Sequence, residues 1–387
     1  MIKRILNIAL LALLLVACEQ DNLITQQPQT EVEVTFNFEF EDVAVTRAIS
    51  DGTTADELMY AIFNADNNEL VISKTTKTNA SGATTSSGLT TRMTLTEGLT
   101  YKAVFWLQSS QTDAYTVTED MKVTVSYAGE CNDERRDAFY GVSKEFTVDD
   151  AAVGVVLRRP FAQLNAGTYP FDWEYVEDFH DFDITKSCIR VRDVAHTIDL
   201  TTGELSDYGS ASFKPGILPT ESLKADVDEN GIMEEYTYVA MAYLLADTTP
   251  TTHTAEFFFL NDENKAVMFE SDVTNSVSLE RNCRTDFVGQ VVTNYGELNI
   301  RDYVDEPNTD YGYVYFNVEE DTTMENTIYN MSSHETGLQF ASVSGQTITY
   351  NNMLFTGDIW VIELGEYRGG GYVKYNNILN NVELRNI

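Results

Sequence analysis

EVEVTFNFEF, residues 31–40, alternates without a break: Val32, Val34, Phe36, Phe38 and Phe40 take one side, and Glu31, Glu33, Thr35, Asn37 and Glu39 take the other. Period-two alternation puts every apolar side chain on one face of an extended chain, so the stretch is a strand with one face on a core and one in water. On a helix the same residues would spread around the circumference. The fold therefore opens with a β-strand.

The pattern recurs along the chain. LMYAIFNADNNELVISKT (58–75) reads as strand, turn, strand, because Asp66, Asn67 and Asn68 tolerate turn conformations that β-branched residues resist. VDENGIMEEYTYVAMAYLL (227–245) and TAEFFFLNDENKAVMFES (254–271) again set an Asp/Asn-rich turn beside runs of Tyr, Phe, Val and Met. LTYKAVFWLQ (99–108), MKVTVSY (121–127), KEFTV (144–148) and VGVVLRR (153–159) supply further strands. Short strands at spacings of roughly 8 to 12 residues predict an all-β fold built of sandwiches rather than an alternating α/β one.

Pro160 cannot donate to a ladder, and the chain restarts after it, which divides the strands into two tandem β-sandwiches over residues 31–159 and 160–300. Residues 301–387 form a third, β-rich extension. It carries the alternating YGYVYFNVE (311–319) and closes on YNNILNNVELRNI (375–387), which resembles the rungs of a parallel β-helix without showing a fixed period.

With 387 residues and 43% hydrophobic content, the chain can bury the cores of two or three domains at about 150 residues each. Its 25 Lys and Arg against 61 Asp and Glu give a formal charge of -36. Such a surface repels nucleic-acid phosphates and anionic membranes, so nucleic acid is excluded as a partner.

At the N-terminus, Lys3 and Arg4 precede the apolar run ILNIALLALLLVA and then Cys18. These are the n-region and h-region of a secretory signal, too short to span a bilayer as a mature helix. LVAC (15–18) resembles a bacterial lipobox. The resemblance implies a signal peptide over residues 1–17, a thioether lipid on Cys18 and an acylated, palmitate-type new N-terminus, enough for stable anchoring. The acidic EQDN that follows resembles the surface-export signals of Bacteroidales lipoproteins, and residues 18–30 form a linker. Cys131, Cys188 and Cys283 remain, an odd number with no CxxC pair, and the strand-like text around Cys188 and Cys283 points to buried free thiols.

Candidate chemistry is sparse. DVDENGIMEE places Asp226, Asp228, Asn230 and Gly231 at the first, third, fifth and sixth positions of a calcium loop, but Thr237 stands where a bidentate Glu is needed, so a hairpin turn explains the stretch better. EDFHDFD offers Asp178, His180, Asp181 and Asp183; on a strand only His180 would share a face with Asp178, and a solvated acidic loop is the expectation. His180, His196, His253 and His334 are scattered, and GEYRGGGY (365–372) lacks the lysine of a phosphate-cradling loop. The expectation is a protein without catalytic residues, metal or cofactor.

Between Arg4 and Lys74 the chain carries a single cation, Arg47, in VTRAISDGTT (45–54). A lipobox, a linker, an alternating strand and then this arginine resemble the fimbrillin-like lipoproteins of Bacteroidales, the type V pilin superfamily. YAIFNADNNELV (60–71), DAFYG (137–141), LRRPFAQLN (157–165) and RNCRTDFVGQVVT (281–293) resemble a branch of it described only as a domain of unknown function. The resemblance covers residues 1 to 300 and implies tandem Greek-key, transthyretin-like sandwiches. It also implies that a trypsin-like protease cuts between Arg47 and Ala48, that the first strand leaves, and that a neighbouring subunit donates a strand to the open groove. The expected function is adhesion or pilus assembly at the outer membrane, cell surface or fimbrium, with other pilus subunits as partners. The alternative is an uncut, lipid-anchored stalk whose C-terminal segment, rich in Tyr and Asn, displays a glycan-binding or β-helical module to host or glycan ligands.

Overall fold

In the computed structural model the described residues are 30–41, 52, 54–78, 89–148, 152–227, 230–271, 276–293, 298–305, 313–318, 321–342, 347–366, 372–376 and 383–386. Strand is their dominant secondary structure. The first ten strands are β1 (Glu31–Phe40), β2 (Glu57–Asn64), β3 (Leu70–Thr78), β4 (Thr90–Thr96), β5 (Thr100–Gln108), β6 (Tyr115–Val117), β7 (Lys122–Val125), β8 (Phe139–Val142), β9 (Phe146–Thr147) and β10 (Ala152–Leu157).

β1 lies in the middle of a three-stranded sheet. It runs antiparallel to β4, with Val34 opposite Met93, and parallel to β10, with Phe36 opposite Val153 and Phe38 opposite Val155. Its inward face packs on a second sheet of order β3-β2-β5-β8, with β9 also paired to β5. Phe36 and Phe38 meet Phe105 of β5 at ring-centroid distances of 5.1 and 4.8 Å, and Phe146 of β9 closes the edge.

β5 explains why its own sequence, AVFWL, is apolar without alternation. Ala103, Phe105 and Leu107 belong to the core beneath β1, whereas Val104 and Trp106 belong to a larger core on the opposite side. A sheet covered on both faces reads as a continuous hydrophobic run. The β2-β5-β8 sheet is thus a wall shared by two cores.

The larger core is enclosed by strands from both sides of Pro160. One sheet runs Ser222–Ala225, Glu234–Leu245, Phe161–Thr168, Arg284–Gly289. The other passes from β6 and β7 through Lys186–Asp199, Ala255–Leu260 and Lys265–Glu270. β6 and β7 precede Pro160, yet β7 bonds to Lys186–Asp199, with Ile198 opposite Val123.

That second sheet continues into the extension. Lys265 and Ala266 pair antiparallel with Asp302 and Arg301, and from there every neighbour is parallel. Tyr303 lies beside Ile328 and Ile328 beside Leu354, while Gly337 lies beside Val361 and Val361 beside Glu383. A separate ladder, Thr322–Glu325, Thr347–Asn351 and Tyr372–Asn376, is parallel as well. Each residue meets the one 22 to 26 positions further on, the strand geometry of a parallel solenoid.

Two expectations need correction. EDFHDFD is neither strand nor loop at its start: Pro170–His180 is an α-helix, α1, with Pro170 in the first turn and Asp181 in the left-handed conformation at the C-cap. Proline at the first helical position and a left-handed stop are ordinary helix punctuation. The intervening FDWEYVEDF is rich in aromatics of modest helix propensity that point to solvent, which hides the period. Among the thiols, Cys131 and Cys188 are buried, but Cys283 is half-buried, in the turn before Arg284–Gly289 rather than within it.

Candidate functional site

Cys18, Arg47 and Ala48 all lie outside the described residues, as does Asp228. What the structure does give is the seat of β1 and the two ends of the segment that contains Arg47.

Val34 and Phe36 have no exposed surface and Phe38 has 4%, so β1 fills a slot in the core of the first sandwich. Both its backbone edges are hydrogen-bonded, to β4 and to β10, and removing it would leave two facing strand edges above an apolar floor. The register is fixed by the same alternation that identified the strand, since a slip of one residue would turn the glutamates inward.

At the C-terminal end of β1 the chain is pinned. The Glu41 amide donates to the Leu157 carbonyl at 2.8 Å. Its carboxylate accepts from Asn282 Nδ2 at 3.2 Å and lies 3.8 Å from Arg158 Nε. Phe40 sets its ring edge-on to Phe139 at 5.1 Å. On the far side of residues 42–51 the chain returns to the same ring: Gly52, with φ +72°, sits so close that a Cβ there would meet Phe139 Cζ at 2.7 Å. Both ends of the segment carrying Arg47 are therefore docked on Phe139.

Phe139 is itself held from behind. The Arg159 guanidinium lies over its ring at 4.7 Å and makes a two-pronged bond to Asp137, Nε to Oδ1 at 2.7 Å and Nη2 to Oδ2 at 2.8 Å. Asp137 is wholly buried and the Arg159 side chain is 10% exposed, so the pair is a fixed part of the interior. Next in sequence, the Tyr140 hydroxyl accepts from Arg281 Nη1 at 3.0 Å, and Arg281 also donates to the carbonyls of Ala246 and Gly203. Gly141 allows β8 to approach β10: a Cβ there would meet the Val156 carbonyl oxygen at 2.7 Å.

DAFYG, LRRPF and, more than a hundred residues further along the chain, RN thus converge on one junction at the exit of β1. Sequence reasoning found these motifs but not their contact. The signal available was the charge at the end of the apolar strand VGVVL: Arg159 follows it closely, and a charge set against a core needs a buried partner.

Elsewhere, Asp226 accepts the amides of Asn230 and Gly231 at 3.0 and 2.7 Å, within a hairpin between the Ser222–Ala225 and Glu234–Leu245 strands. Its carboxylate shapes the turn. Among the described residues no group of three or more His, Cys, Asp or Glu is placed to hold a metal ion.

Comparison with known proteins adds the following. The profile of a family of unknown function, DUF6562, matches residues 25–325. No curated protein matches the chain. Solved structures similar to it include a candidate polysaccharide-binding protein (DUF1812) from Bacteroides thetaiotaomicron, 13% identical over 65% of this chain and 78% of that one, with a TM-score of 0.37. A candidate cell adhesion protein from Bacteroides ovatus is 13% identical over 68% of this chain and 93% of that one, with a TM-score of 0.37. The fimbrial anchor protein Mfa2 from Porphyromonas gingivalis is 12% identical over 62% and 82%, with a TM-score of 0.33.

Proposed function

The chain belongs to the DUF6562 family, whose function is unknown, and from that premise we propose that it is a lipid-anchored bacterial surface protein of the fimbrillin type. It acts in adhesion or pilus assembly by giving up β1 after cleavage between Arg47 and Ala48 and accepting a donor strand in its place. One observation supports the reading: Phe40 and Gly52, on either side of the Arg47 segment, both sit against Phe139, so a cut between Arg47 and Ala48 severs β1 covalently while these flanking contacts stay in place. The severed strand is then held by its two ladders, its apolar face, the Arg92–Glu33 pair and the Glu41 contacts. A donor with apolar residues at alternate positions can replace each of these.

The lipid on Cys18 supplies attachment to the outer membrane, and no catalytic residue is assigned. The test is mass spectrometry of the N-terminus of the protein recovered from the cell surface, with wild type and Arg47→Ala. A wild-type chain starting at Ala48, with ladders that survive mild SDS and vanish in Arg47→Ala, supports the proposal. A wild-type chain starting only at lipidated Cys18 overturns it.

A second reading, the anchored stalk, draws on the parallel strands of the extension, which prolong the second sheet. It requires no cleavage, and the same measurement separates the two.

A further inference from the structure

Helix α1 presents its aromatic side chains to water. Phe171, Tyr175 and Phe179 recur every four residues and so share one face, and they are 58%, 44% and 76% exposed. Leaving large aromatic side chains outside forgoes the gain of burying them, and soluble proteins seldom expose a contiguous apolar patch without a use for it. The rings are ordered in pairs. Tyr169 stacks on Phe171 at 5.2 Å with 11° between planes, and Tyr175 stacks on Phe179 at 5.1 Å with 28°.

Beside them lies an open trough of about 530 Å³, with Glu174, Asp178 and Gln290 on its rim. Its floor is built in place. The wholly buried Asp172 carboxylate accepts the Val292 and Thr293 amides at 2.9 and 3.2 Å and the Thr293 hydroxyl at 2.6 Å, and Gln290 Nε2 donates to that same hydroxyl at 2.5 Å. Beyond Pro170 a second trough of about 340 Å³ carries Glu221, Glu235 and Tyr236, and the Tyr236 ring lies 5.7 Å from Tyr169. The aromatic strip links the two.

We propose that the Phe171, Tyr175, Phe179 face of α1 is a binding site for a neutral carbohydrate chain. A pyranose has an apolar C–H face that lies flat on an aromatic ring and a rim of hydroxyl donors suited to carboxylate and amide acceptors. Phe171 and Phe179 are about 12 Å apart along the helix axis, and the troughs are open and elongated, so the occupant is an oligosaccharide rather than a single sugar. No Lys or Arg lines either trough among the described residues, and the whole chain carries -36, which turns away uronate, sulfated or phosphorylated glycans. The site needs neither cleavage at Arg47 nor loss of β1, and so goes beyond the strand-exchange reading.

The test uses the full chain carrying Arg47→Ala, so that strand exchange plays no part, titrated with hexamers of glucose, mannose and N-acetylglucosamine. Calorimetry and the fluorescence of Trp173, which lies on α1, report binding. The expected result is saturable binding of at least one hexamer, weakened roughly 10-fold by Tyr175→Ala or Phe179→Ala, retained by Tyr175→Phe, and unchanged in high salt. The variants keep the wild-type melting temperature because the rings are exposed. Failure of all three hexamers to bind overturns the proposal, as does binding indifferent to these substitutions. Salt-sensitive binding of a polyamine such as spermine in place of any sugar also overturns it, since the trough would then be a cation site.

Discussion

Asp137 and Arg159 show what one buried ion pair does here. Arg159 braces the Phe139 ring that receives both ends of the Arg47 segment, and Asp137 holds Arg159 in that pose. Replacing one partner leaves the other charged and buried, so Asp137→Asn should lower stability by about 3 to 5 kcal/mol, read from urea unfolding. It should also raise the rate of tryptic cutting at Arg47 through a looser seat; unchanged stability would mean that water already reaches the pair. Titrating groups set a second expectation. Burial pushes the Cys131 thiol up to about 12 from its ordinary 9.0, and it raises the phenols of Tyr115, Tyr127 and Tyr238. A folded-state pKa above the unfolded one means that the fold keeps protons the unfolded chain releases. This stabilisation is therefore complete below pH 9 and is lost as the pH rises through the folded values. The urea midpoint should be level from about pH 7 to 8.5 and fall above 9; a midpoint still level at about pH 11 would mean that these groups titrate normally. The thiols were legible from their odd number and strand-like setting except for Cys283, which a turn lifts partly into solvent. The ion pairs were not, because a lone sequence shows that a charge needs a partner without showing which one.

Among the elements, β1 was the most legible and α1 the least, for the same physical reason. Alternation survives in β1 because one of its faces meets water, so Val34, Phe36 and Phe38 stand out against Glu33, Asn37 and Glu39. In α1 the exposed face is aromatic, and the usual contrast between apolar inside and polar outside is reversed. β5 was read as a strand, but its unbroken apolar run hid that both of its faces are covered. The seat of β1 can be tested by separating its strength from its latch. Phe36→Ala removes a ring packed on Phe105 and Phe146 and should cost about 3 to 5 kcal/mol of stability, seen as a lower urea midpoint of the uncut chain. Glu41→Gln disturbs contacts that are more than 40% exposed, worth about 1 kcal/mol or less before cleavage. After cutting at Arg47 the same change sits at the free end of the strand, where fraying begins. The severed peptide should leave measurably faster than from wild type, followed by its dissociation on a sizing column. Equal rates would show that release starts instead at the Glu31 end.

At the scale of the molecule, the parallel extension and the second sheet are joined by a column of side chains. Tyr303, Ile328 and Leu354 succeed one another across paired strands, are 7%, 1% and 7% exposed, and belong to the large core. Tyr303 is the rivet: its ring lies 5.7 Å from Phe258 and its hydroxyl 3.4 Å from Cys188 Sγ. The sequence hid this because the spacing drifts between 22 and 26 residues, and because parallel partners lie so far apart that no local pattern marks them. Stacked strands of this kind draw stability from their neighbours, so the first of them should inherit that of the sheet below, and the later ones should open more easily. Hydrogen exchange should then show Arg301–Asp305 protected like Ala255–Leu260, with protection falling toward Glu383–Asn386. Tyr303→Ala removes the rivet while leaving both sheets paired within themselves, at a cost of about 3 to 5 kcal/mol. The extension should then melt in a separate, earlier transition while the sandwich core keeps its own. A single cooperative loss of both in Tyr303→Ala would instead show that backbone pairing between Lys265–Glu270 and Arg301–Asp305 is enough to couple them.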